Sequence, residues 1–336
     1  PRYQGAGSSL VNPTRQPESI LDVIADSGLV MTAYEQGYIR NRKPNEALAK
    51  SAVEAAKNAD VVLVFAGLDE ISESEGLDRT HMHMPQAQNE LIDAVTAVNT
   101  NVVVVLSAGS SIEMPWFDYV KGIVHGYLGG QAGASAMMNV LTGKVCPSGK
   151  LNETYPLHYE DTPAFHYYPS KERSSEYREA LYVGYRYFDA FSIHPRFPFG
   201  FGLSYTTFSM GRKAVLVDGS KVTVDVSVKN TSKYAGREVV QLYLQKPQIV
   251  QGVEEKSLAA FAKTGCLQPG ETELVTTTFD VCDLAVYDEE KEMFVLPQGE
   301  YGVLLGTHAG AVSPVAVLTL SEDVVVEQVS AVHPFA

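Results

Sequence analysis

Three carboxylates and one arginine lie close together in residues 72–79, whose sequence is Ser-Glu-Ser-Glu-Gly-Leu-Asp-Arg. The run follows the apolar residues 61–65, which are typical of a buried strand. Proteins that alternate strands and helices place their chemistry at such strand ends. The run therefore predicts an acid/base site, with a solvated acidic loop as the plainer alternative. By chemistry alone, the proton donor could be any of Asp69, Glu70, Glu73 and Glu75.

Other polar motifs carry weaker signals. His81 and His83 are two residues apart, but no third metal ligand stands at a suitable spacing, so we interpret them as surface or packing residues. The glycine-rich turns at 5–7 and 129–130 precede no Lys-Ser/Thr and do not fit the dinucleotide-binding spacing. The sequence therefore predicts neither a metal nor a cofactor.

The composition excludes several classes of partner. The 336 residues exceed one typical domain, so two domains are expected. The formal net charge of -14 argues against nucleic acid, because its phosphates would be repelled. The longest apolar runs have the length of a strand, short of the roughly 18 residues that span a bilayer, so no membrane contact is predicted. The cysteines are too few for a disulfide framework, and we interpret them as small core residues: Cys146, Cys266 and Cys282.

The first half of the chain alternates short β-branched runs with helical patterns. Strands are predicted at 61–65, 102–106 and 122–127, and helices at 45–58, 86–99 and 134–141. The apolar face of the second helix is predicted to contain Leu91, Ile92, Val95 and Val98. Such alternation implies a mostly parallel sheet covered by helices on both faces, an α/β fold. Residues 156–206 are rich in aromatic side chains, and 156–196 are predicted to form a long, irregular surface segment.

From about residue 207 the helical period disappears. Strands are predicted at 222–228, 239–244, 272–279, 300–305 and 315–320, separated by turn signals such as Pro269-Gly270. This pattern predicts an all-β immunoglobulin or fibronectin III-like sandwich with a supporting structural role.

One long run identifies a family. Residues 197–208, Phe-Pro-Phe-Gly-Phe-Gly-Leu-Ser-Tyr-Thr-Thr-Phe, resemble the signature that ends the second domain of glycoside hydrolase family 3 enzymes, the β-glucosidases and their relatives. Motifs at 75–79, 113–116, 129–133, 147–151 and 182–189 match in order and spacing. Asp283-Leu284, Tyr287-Asp288 and residues 297–301 resemble the fibronectin type III-like domain that commonly follows. The resemblance covers essentially the whole chain.

The resemblance implies a division of labour between domains. Family members of this type have a (β/α)8-like barrel with an aspartate nucleophile, an α/β sandwich domain with the acid/base glutamate, and the fibronectin-like domain. This chain matches the last two, with the α/β sandwich at 1–206 and the fibronectin-like sandwich at 207–336. It has no Ser-Asp-Trp or Thr-Asp-Trp nucleophile motif. The family's commoner order places the barrel before Pro1, although some members reverse it, and the first strand of the α/β domain is also expected before Pro1.

The resemblance also assigns roles to single residues. Glu75 matches the family's general acid/base position, and retaining glycoside hydrolysis needs such a carboxyl beside a nucleophilic one. Asp78 and Arg79 are expected to fix the loop through hydrogen bonds and ion pairs. Candidates for lining the leaving-group side of the cleft are Arg2, Tyr3 and Gln4. A purely structural loop is the alternative for these three.

The predicted function is part of a retaining exo-β-glycosidase of β-glucosidase type, and the chain without a barrel is predicted to be inactive. The Glu75 motif indicates β-linked glucosides or xylosides, because relatives that act on N-acetylglucosaminides use a barrel histidine instead. The competing hypothesis is a non-catalytic carbohydrate-binding or scaffolding protein, in which aromatic residues between Tyr159 and Tyr187 stack on glycans. The cysteine content favours a bacterial cytoplasm or periplasm, and the sequence leaves a homo-oligomer open.

Overall fold

The computed structural model describes residues 2–40, 43–171, 173–174, 176–247 and 254–329. The chain packs into two compact units, each made of two sequence segments. The first unit contains Pro1–Val145 and Tyr155–Ser175, and the second contains Cys146–Thr154 and Glu176–Ala336. The single domain boundary between residues 206 and 207 stays a prediction.

The first unit is built on a parallel sheet with the strand order β1-β2-β3. Its strands are β1 (Val62–Gly67), β2 (Val102–Ser107) and β3 (Gly122–His125). Val64 pairs with Val104, which in turn pairs with Ile123. Val102, Val104 and Leu106 are fully buried, as expected for strands of a parallel sheet covered on both faces. The three predicted strands of this half are confirmed.

Helices pack around this sheet. They are α1 (Ile20–Val23), α2 (Glu46–Ala56), α3 (Gln86–Thr96) and α4 (Gly133–Leu141). The three predicted helices are confirmed as α2, α3 and α4, and α3 buries Leu91, Ile92 and Val95. The prediction that Val98 belongs to the same apolar face is wrong, because α3 ends before it and its side chain is exposed.

The second unit is an antiparallel β-sandwich preceded by the helix α5 (Tyr185–Ala190). The strands are β4 (Phe208–Asp218), β5 (Lys221–Asn230), β6 (Val239–Gln245), β7 (Lys256–Lys263), β8 (Thr272–Asp280), β9 (Val286–Asp288), β10 (Met293–Leu296), β11 (Gly299–His308), β12 (Ala311–Leu320) and β13 (Val324–Gln328). One sheet has the order β12-β11-β6-β7, a second β4-β5-β8, and a third, small sheet β13-β10-β9.

The core of the sandwich follows the predicted alternation. Its centre is formed by Val222, Val224, Val226 and Val228 of β5, which pack with Leu242, Leu244 and Val303. Every second residue of a strand points to the same face, so one valine face is buried while Thr223 and Asp225 lie on the other face. The predicted immunoglobulin or fibronectin III-like sandwich is confirmed, and so are its five predicted strands.

Some predictions were incomplete or wrong. Strands β4, β7, β9, β10 and β13 were missed, and in β4 a bulge between Arg212 and Ala214 interrupts the alternation that would reveal a strand. The surface assignment of 156–196 is wrong at α5, where Tyr185 and Phe188 are buried. The core assignment is wrong for Cys266, which is exposed. No helix among the described residues is long and apolar enough to cross a membrane.

Candidate functional site

The candidate site lies at the carboxyl end of the parallel sheet of the first unit. Loops leave the sheet there after each strand, at residues 68–79, 108–111 and 126–130. Parallel strands bring their carboxyl ends to one edge, so loops that are far apart in sequence meet there. Residues 2–10 contact two of these loops, because the backbone N–H of Gly130 donates to the carbonyl of Tyr3 at 2.9 Å and Arg2 reaches Glu73.

Glu75 is exposed and contacts the turn at residues 7–8. The backbone N–H of Ser8 donates a hydrogen bond to Oε2 of Glu75 at 2.5 Å. Gly7 has a φ of +83°, and a Cβ atom there would lie 2.6 Å from the Cβ atom of Glu75. Glycine is therefore needed for this turn to approach the glutamate so closely.

The same contact favours the ionised form of Glu75 in this chain. Hydrogen bonds from the side chain and the backbone N–H of Ser8 hold the pKa of Glu75 below its ordinary value, because they stabilise the carboxylate form. Glu75 is consequently ionised at neutral pH. A general acid must be protonated before it donates, so the direction of this shift is opposite to the one that proton donation requires.

Glu73 is held in a very different way. Oε2 accepts hydrogen bonds from Arg2 at 2.5 Å and from the backbone N–H of Gly109 at 2.8 Å, while Oε1 accepts one from the hydroxyl of Ser110 at 2.5 Å. Burial raises the pKa of Glu73, but the hydrogen bonds from Ser110, Gly109 and Arg2 outweigh it, and the net pKa is lowered. Glu73 is thus a half-buried anchor that is ionised at neutral pH.

The other two acidic candidates are also bound within the loop region. Asp69 is buried, and its Oδ1 accepts hydrogen bonds from the backbone N–H of Ser72 at 2.8 Å and from its hydroxyl at 2.7 Å. Glu70 forms an ion pair with Arg40. Both arrangements are typical of residues that shape a loop.

Asp78 and Arg79 bind to different parts of the first unit. Oδ1 of Asp78 accepts a hydrogen bond from the hydroxyl of Tyr168 at 2.7 Å. Arg79 donates through NH1 to the hydroxyl of Ser110 at 2.7 Å and to the carbonyl of Ser111 at 3.3 Å. These contacts tie the end of the acidic run to the loop after β2 and to the aromatic segment.

The predicted residues at the start of the chain are engaged in the same region. Arg2 is largely buried and donates to the carboxylate of Glu73 at 2.5 Å and to its carbonyl at 3.0 Å. Oε1 of Gln4 accepts from the backbone N–H of Val11 at 3.0 Å, and Nε2 of Gln4 lies 3.4 Å from the hydroxyl of Tyr3. Arg2 therefore contacts the acidic run, while the side chain of Gln4 contacts only residues near the start of the chain, Tyr3 and Val11, in the hydrogen bonds described.

Several histidines lie in or near this region. His81 and His83 stack with ring centroids 5.2 Å apart, and Nδ1 of His83 lies 3.1 Å from Oε2 of Glu113. Among the described residues, no three His, Cys, Asp or Glu side chains are grouped as a metal site would require. At the end of β3, Nε2 of His125 lies 2.6 Å from the hydroxyl of Tyr155.

Sequence reasoning missed Gly109, Ser110, His125 and Tyr168 as members of this site. One signal was available for the first two. The polar run Gly-Ser-Ser at 109–111 follows the buried strand β2, just as the acidic run follows β1. No comparable local pattern marks His125, because its contact with Tyr155 joins residues that are far apart in the sequence.

Comparison with known proteins gives consistent matches over both units. Residues 1–205 match the family model "Glycosyl hydrolase family 3 C-terminal domain", and residues 238–309 match "Fibronectin type III-like domain". The thermostable β-glucosidase B of Acetivibrio thermocellus is 45% identical over 314 residues, which cover 91% of this chain and 41% of the relative. An exo-α-(1→6)-L-arabinopyranosidase of Bifidobacterium breve is 40% identical over 96% of this chain and 43% of its own length.

Solved structures show the same relationship. The crystal structure of a family 3 β-glucosidase of Bifidobacterium adolescentis has a TM-score of 0.89 and 40% identity, covering 95% of this chain and 47% of that protein. A β-glucosidase of Kluyveromyces marxianus in complex with glucose has a TM-score of 0.81 and 34% identity, covering 84% of this chain and 34% of that protein. The chain thus spans less than half the length of these relatives.

Proposed function

The chain belongs to glycoside hydrolase family 3, and on this premise we propose that it supplies Glu75 as the general acid/base of a retaining β-glycosidase. The nucleophile and the sugar-binding pocket would lie on a (β/α)8-like barrel, and the sheets that the described residues form include no such barrel. No cofactor takes part in this chemistry. The fibronectin-like unit has a supporting role, because its described residues form a packed sandwich around an apolar core.

The observation that carries the proposal is the exposure of Glu75 among its acidic neighbours. Asp69 is buried, Glu70 pairs with Arg40, and Glu73 is bound by Arg2 and the loop after β2. Glu75 is instead exposed at the surface and accepts a hydrogen bond from the backbone N–H of Ser8. A proton donor must reach an atom of the substrate, so an exposed carboxyl on a strand-end loop suits this role.

The proposed reaction has two steps. The barrel carboxylate attacks the anomeric carbon and forms a covalent glycosyl-enzyme intermediate, while Glu75 donates a proton to the departing glycosidic oxygen. Glu75, now ionised, then accepts a proton from the water molecule that hydrolyses the intermediate. Retaining enzymes place their two carboxyl groups about 5 to 5.5 Å apart. When one of them is ionised, its negative charge raises the pKa of the other.

The low pKa of Glu75 in this chain fits such a division between two domains. The contact with Ser8 favours the ionised form, whereas the barrel nucleophile would favour the protonated form. Glu75 becomes a competent acid only when a second carboxylate approaches it. The chain without a barrel is therefore expected to have no hydrolytic activity.

We propose a β-linked glucoside or xyloside as the substrate. The β-glucosidases among the relatives support the glucoside, and the arabinopyranosidase shows that related proteins act on other sugars. The choice of sugar ring would be made by the barrel. This chain would contribute to the leaving-group side, where residues 2–10 and 73–79 meet.

The proposal is tested in a complete enzyme, made by joining this chain to the barrel of the Acetivibrio relative. Glu75→Ala should slow cleavage of cellobiose by about 10² to 10⁴, which is the usual contribution of a general acid. A 2,4-dinitrophenyl glucoside needs no proton on its leaving group, so it should show a normal burst followed by slow deglycosylation. Azide needs no general base, so it should restore turnover and yield a β-glycosyl azide.

Glu70→Ala is the matched control for this experiment, because Glu70 lies in the same loop region and pairs with Arg40. It should leave both substrates within about twofold of the unmodified enzyme, as expected for an exposed ion pair. Equal slowing of activated and unactivated substrates by Glu75→Ala, without rescue by azide, would refute the assignment.

A further inference from the structure

The hydroxyl of Ser110 contacts residues on both sides of Glu75. It donates a hydrogen bond to Oε1 of Glu73 at 2.5 Å, and it accepts one from NH1 of Arg79 at 2.7 Å. Glu73 lies two residues before Glu75, and Arg79 lies four residues after it. Both ends of residues 73–79, which we call the Glu75 loop, therefore meet at one oxygen atom on the loop after β2.

The chemistry of the three groups fixes the direction of these bonds. An ionised carboxylate only accepts hydrogen bonds, and a guanidinium only donates them. The single hydroxyl proton of Ser110 must therefore point to Glu73, which leaves the oxygen lone pairs for Arg79. Hydrogen bonds to charged groups are stronger than those between neutral groups, so the hydroxyl is held in one orientation.

Arg2 strengthens one end of this arrangement. Its guanidinium contacts both the carboxylate and the carbonyl of Glu73, at 2.5 and 3.0 Å. The side chains of Arg2 and Glu73 are only 7% and 17% exposed, so the pair is screened little by solvent. The carboxylate that accepts the hydrogen bond from Ser110 is thus itself held in place.

The tip of the Glu75 loop is exposed, and its side chains contact Ser8 and Tyr168 through Glu75 and Asp78. Residues 75–78 are all exposed. A Cβ atom added to Gly76, whose φ is +75°, would meet no atom within 4 Å. The position of Glu75 therefore depends on the contact with Ser8 and on where the ends of its loop are held.

We propose that Ser110 is a positioning residue for Glu75, whose hydroxyl holds both ends of the Glu75 loop. This inference rests on the proposed function of Glu75. Catalytic proton transfer needs the acid within hydrogen-bond reach of the leaving oxygen, and a displacement of about 1 Å can cost about 10²-fold in rate. Loss of the hydroxyl should therefore weaken proton donation without removing any group that touches the substrate.

The first test uses the 336-residue chain and measures the titration of Glu75 by carbon NMR of its carboxyl group, assigned with Glu75→Gln. In Ser110→Ala the loop should loosen, the contact with Ser8 should weaken, and the pKa of Glu75 should rise towards its ordinary value. Ser110→Thr keeps the hydroxyl and should preserve the low pKa. Ser111→Ala is the matched control, because Ser111 contacts Arg79 through its backbone carbonyl.

The second test uses the complete enzyme. Ser110→Ala should lower kcat/KM by about 10-fold or more for cellobiose but by less than about twofold for a 2,4-dinitrophenyl glucoside. Ser110→Thr should restore the value for cellobiose, and Ser111→Ala should change neither. A uniform loss on both substrates would overturn the proposal, because it would indicate a general effect on folding.

The two tests separate this inference from the proposed function. An unchanged titration of Glu75 in Ser110→Ala overturns the positioning role, whatever the enzyme does. A failed Glu75→Ala experiment refutes the function but leaves the titration result interpretable. If Ser110→Ala does not fold, Ser110→Cys replaces it; the thiol has a similar shape but is a weak hydrogen-bond donor and acceptor, and it should likewise raise the pKa of Glu75.

Discussion

The pH dependence of stability offers a quantitative test of the site region through His125. This residue ends β3, and its Nε2 lies 2.6 Å from the hydroxyl of Tyr155. Its ring centroid lies 3.9 Å from that of Tyr127, with the two ring planes tilted by 39°. Burial lowers the pKa of His125 from 6.5 to about 4, and a backbone hydrogen bond with Leu106 and the charge of Glu73 offset this only in part. The imidazole is therefore half protonated at pH about 4 in the folded chain and predominantly neutral between pH 5 and pH 7.

The sign and size of the effect follow from proton binding. Below pH 6.5 the unfolded chain binds a proton at His125 that the folded chain does not. The contribution of His125 to the free energy of unfolding is therefore present above pH 6.5 and is lost as the pH falls towards 4. The whole contribution of His125 to the free energy of unfolding is about 3 kcal/mol, and about 2 kcal/mol of it is lost between pH 7 and pH 5. Carboxylates such as Glu73 titrate mainly below this window, because their ordinary pKa is 4.5.

The assay is urea unfolding followed by the fluorescence of Trp116. It is the single tryptophan of the chain and is fully buried in the first unit, so it reports on the unit that contains His125. The free energy of unfolding of the unmodified chain should fall steeply from pH 7 to pH 5. His125→Gln cannot be protonated, and its fall over the same range should be about 2 kcal/mol smaller.

His166→Gln is the matched control, because His166 lies in the same unit and is exposed. It should follow the pH dependence of the unmodified chain. If His125→Gln lost as much stability as the unmodified chain between pH 7 and pH 5, the imidazole would be solvated in the folded state and the reasoning would be refuted.

Further predictions concern activity and the second unit. The purified chain without a barrel should not hydrolyse aryl β-glucosides; clear turnover would contradict the proposed division of labour. Gly202→Ala should destabilise the second unit by about 1 to 3 kcal/mol or more, because its Cβ would lie 2.2 Å from the carbonyl oxygen of Gly149. Gly211→Ala is the control, since nothing lies within 4 Å of its Cβ position; equal thermal stability of the two variants would contradict this. Lys246→Met should cost about 3 to 5 kcal/mol, because it leaves the buried carboxylate of Glu254 without the ion pair that now spans 2.8 Å. Urea unfolding followed by far-UV circular dichroism should show the loss, and an unchanged midpoint would count against it.

The elements of both units were largely predictable because their signals are local. Continuous β-branched runs gave β1 and β2, and the strict alternation of valines gave β5. Strand β4 escaped detection because it is exposed along most of its length and contains a bulge. Val98 was wrongly assigned to the apolar face of α3 because the helical period of apolar residues continues past the residue at which α3 ends.

The site was predictable only in part. The strand-end position and the family motif selected Glu75 from the sequence, and that assignment stays a prediction. The separate environments of Glu73 and Glu75 were not predictable, because two glutamates in one loop have the same chemistry until their partners are known. Those partners come from residues 2–10 and 109–110, which the sheet brings to the loop.

The sequence by itself determined the fold class, the family and the loop in which the chemistry is expected, because periodicity, turn residues and motif spacing are properties of neighbouring residues. Only the tertiary structure decided that Glu73 is an ionised anchor, that Arg2 binds it, that Ser110 joins the two ends of the Glu75 loop and that His125 is neutral. These are consequences of burial and of hydrogen bonds between residues tens of positions apart. Such contacts exist only after parallel strands have brought their ends to one edge.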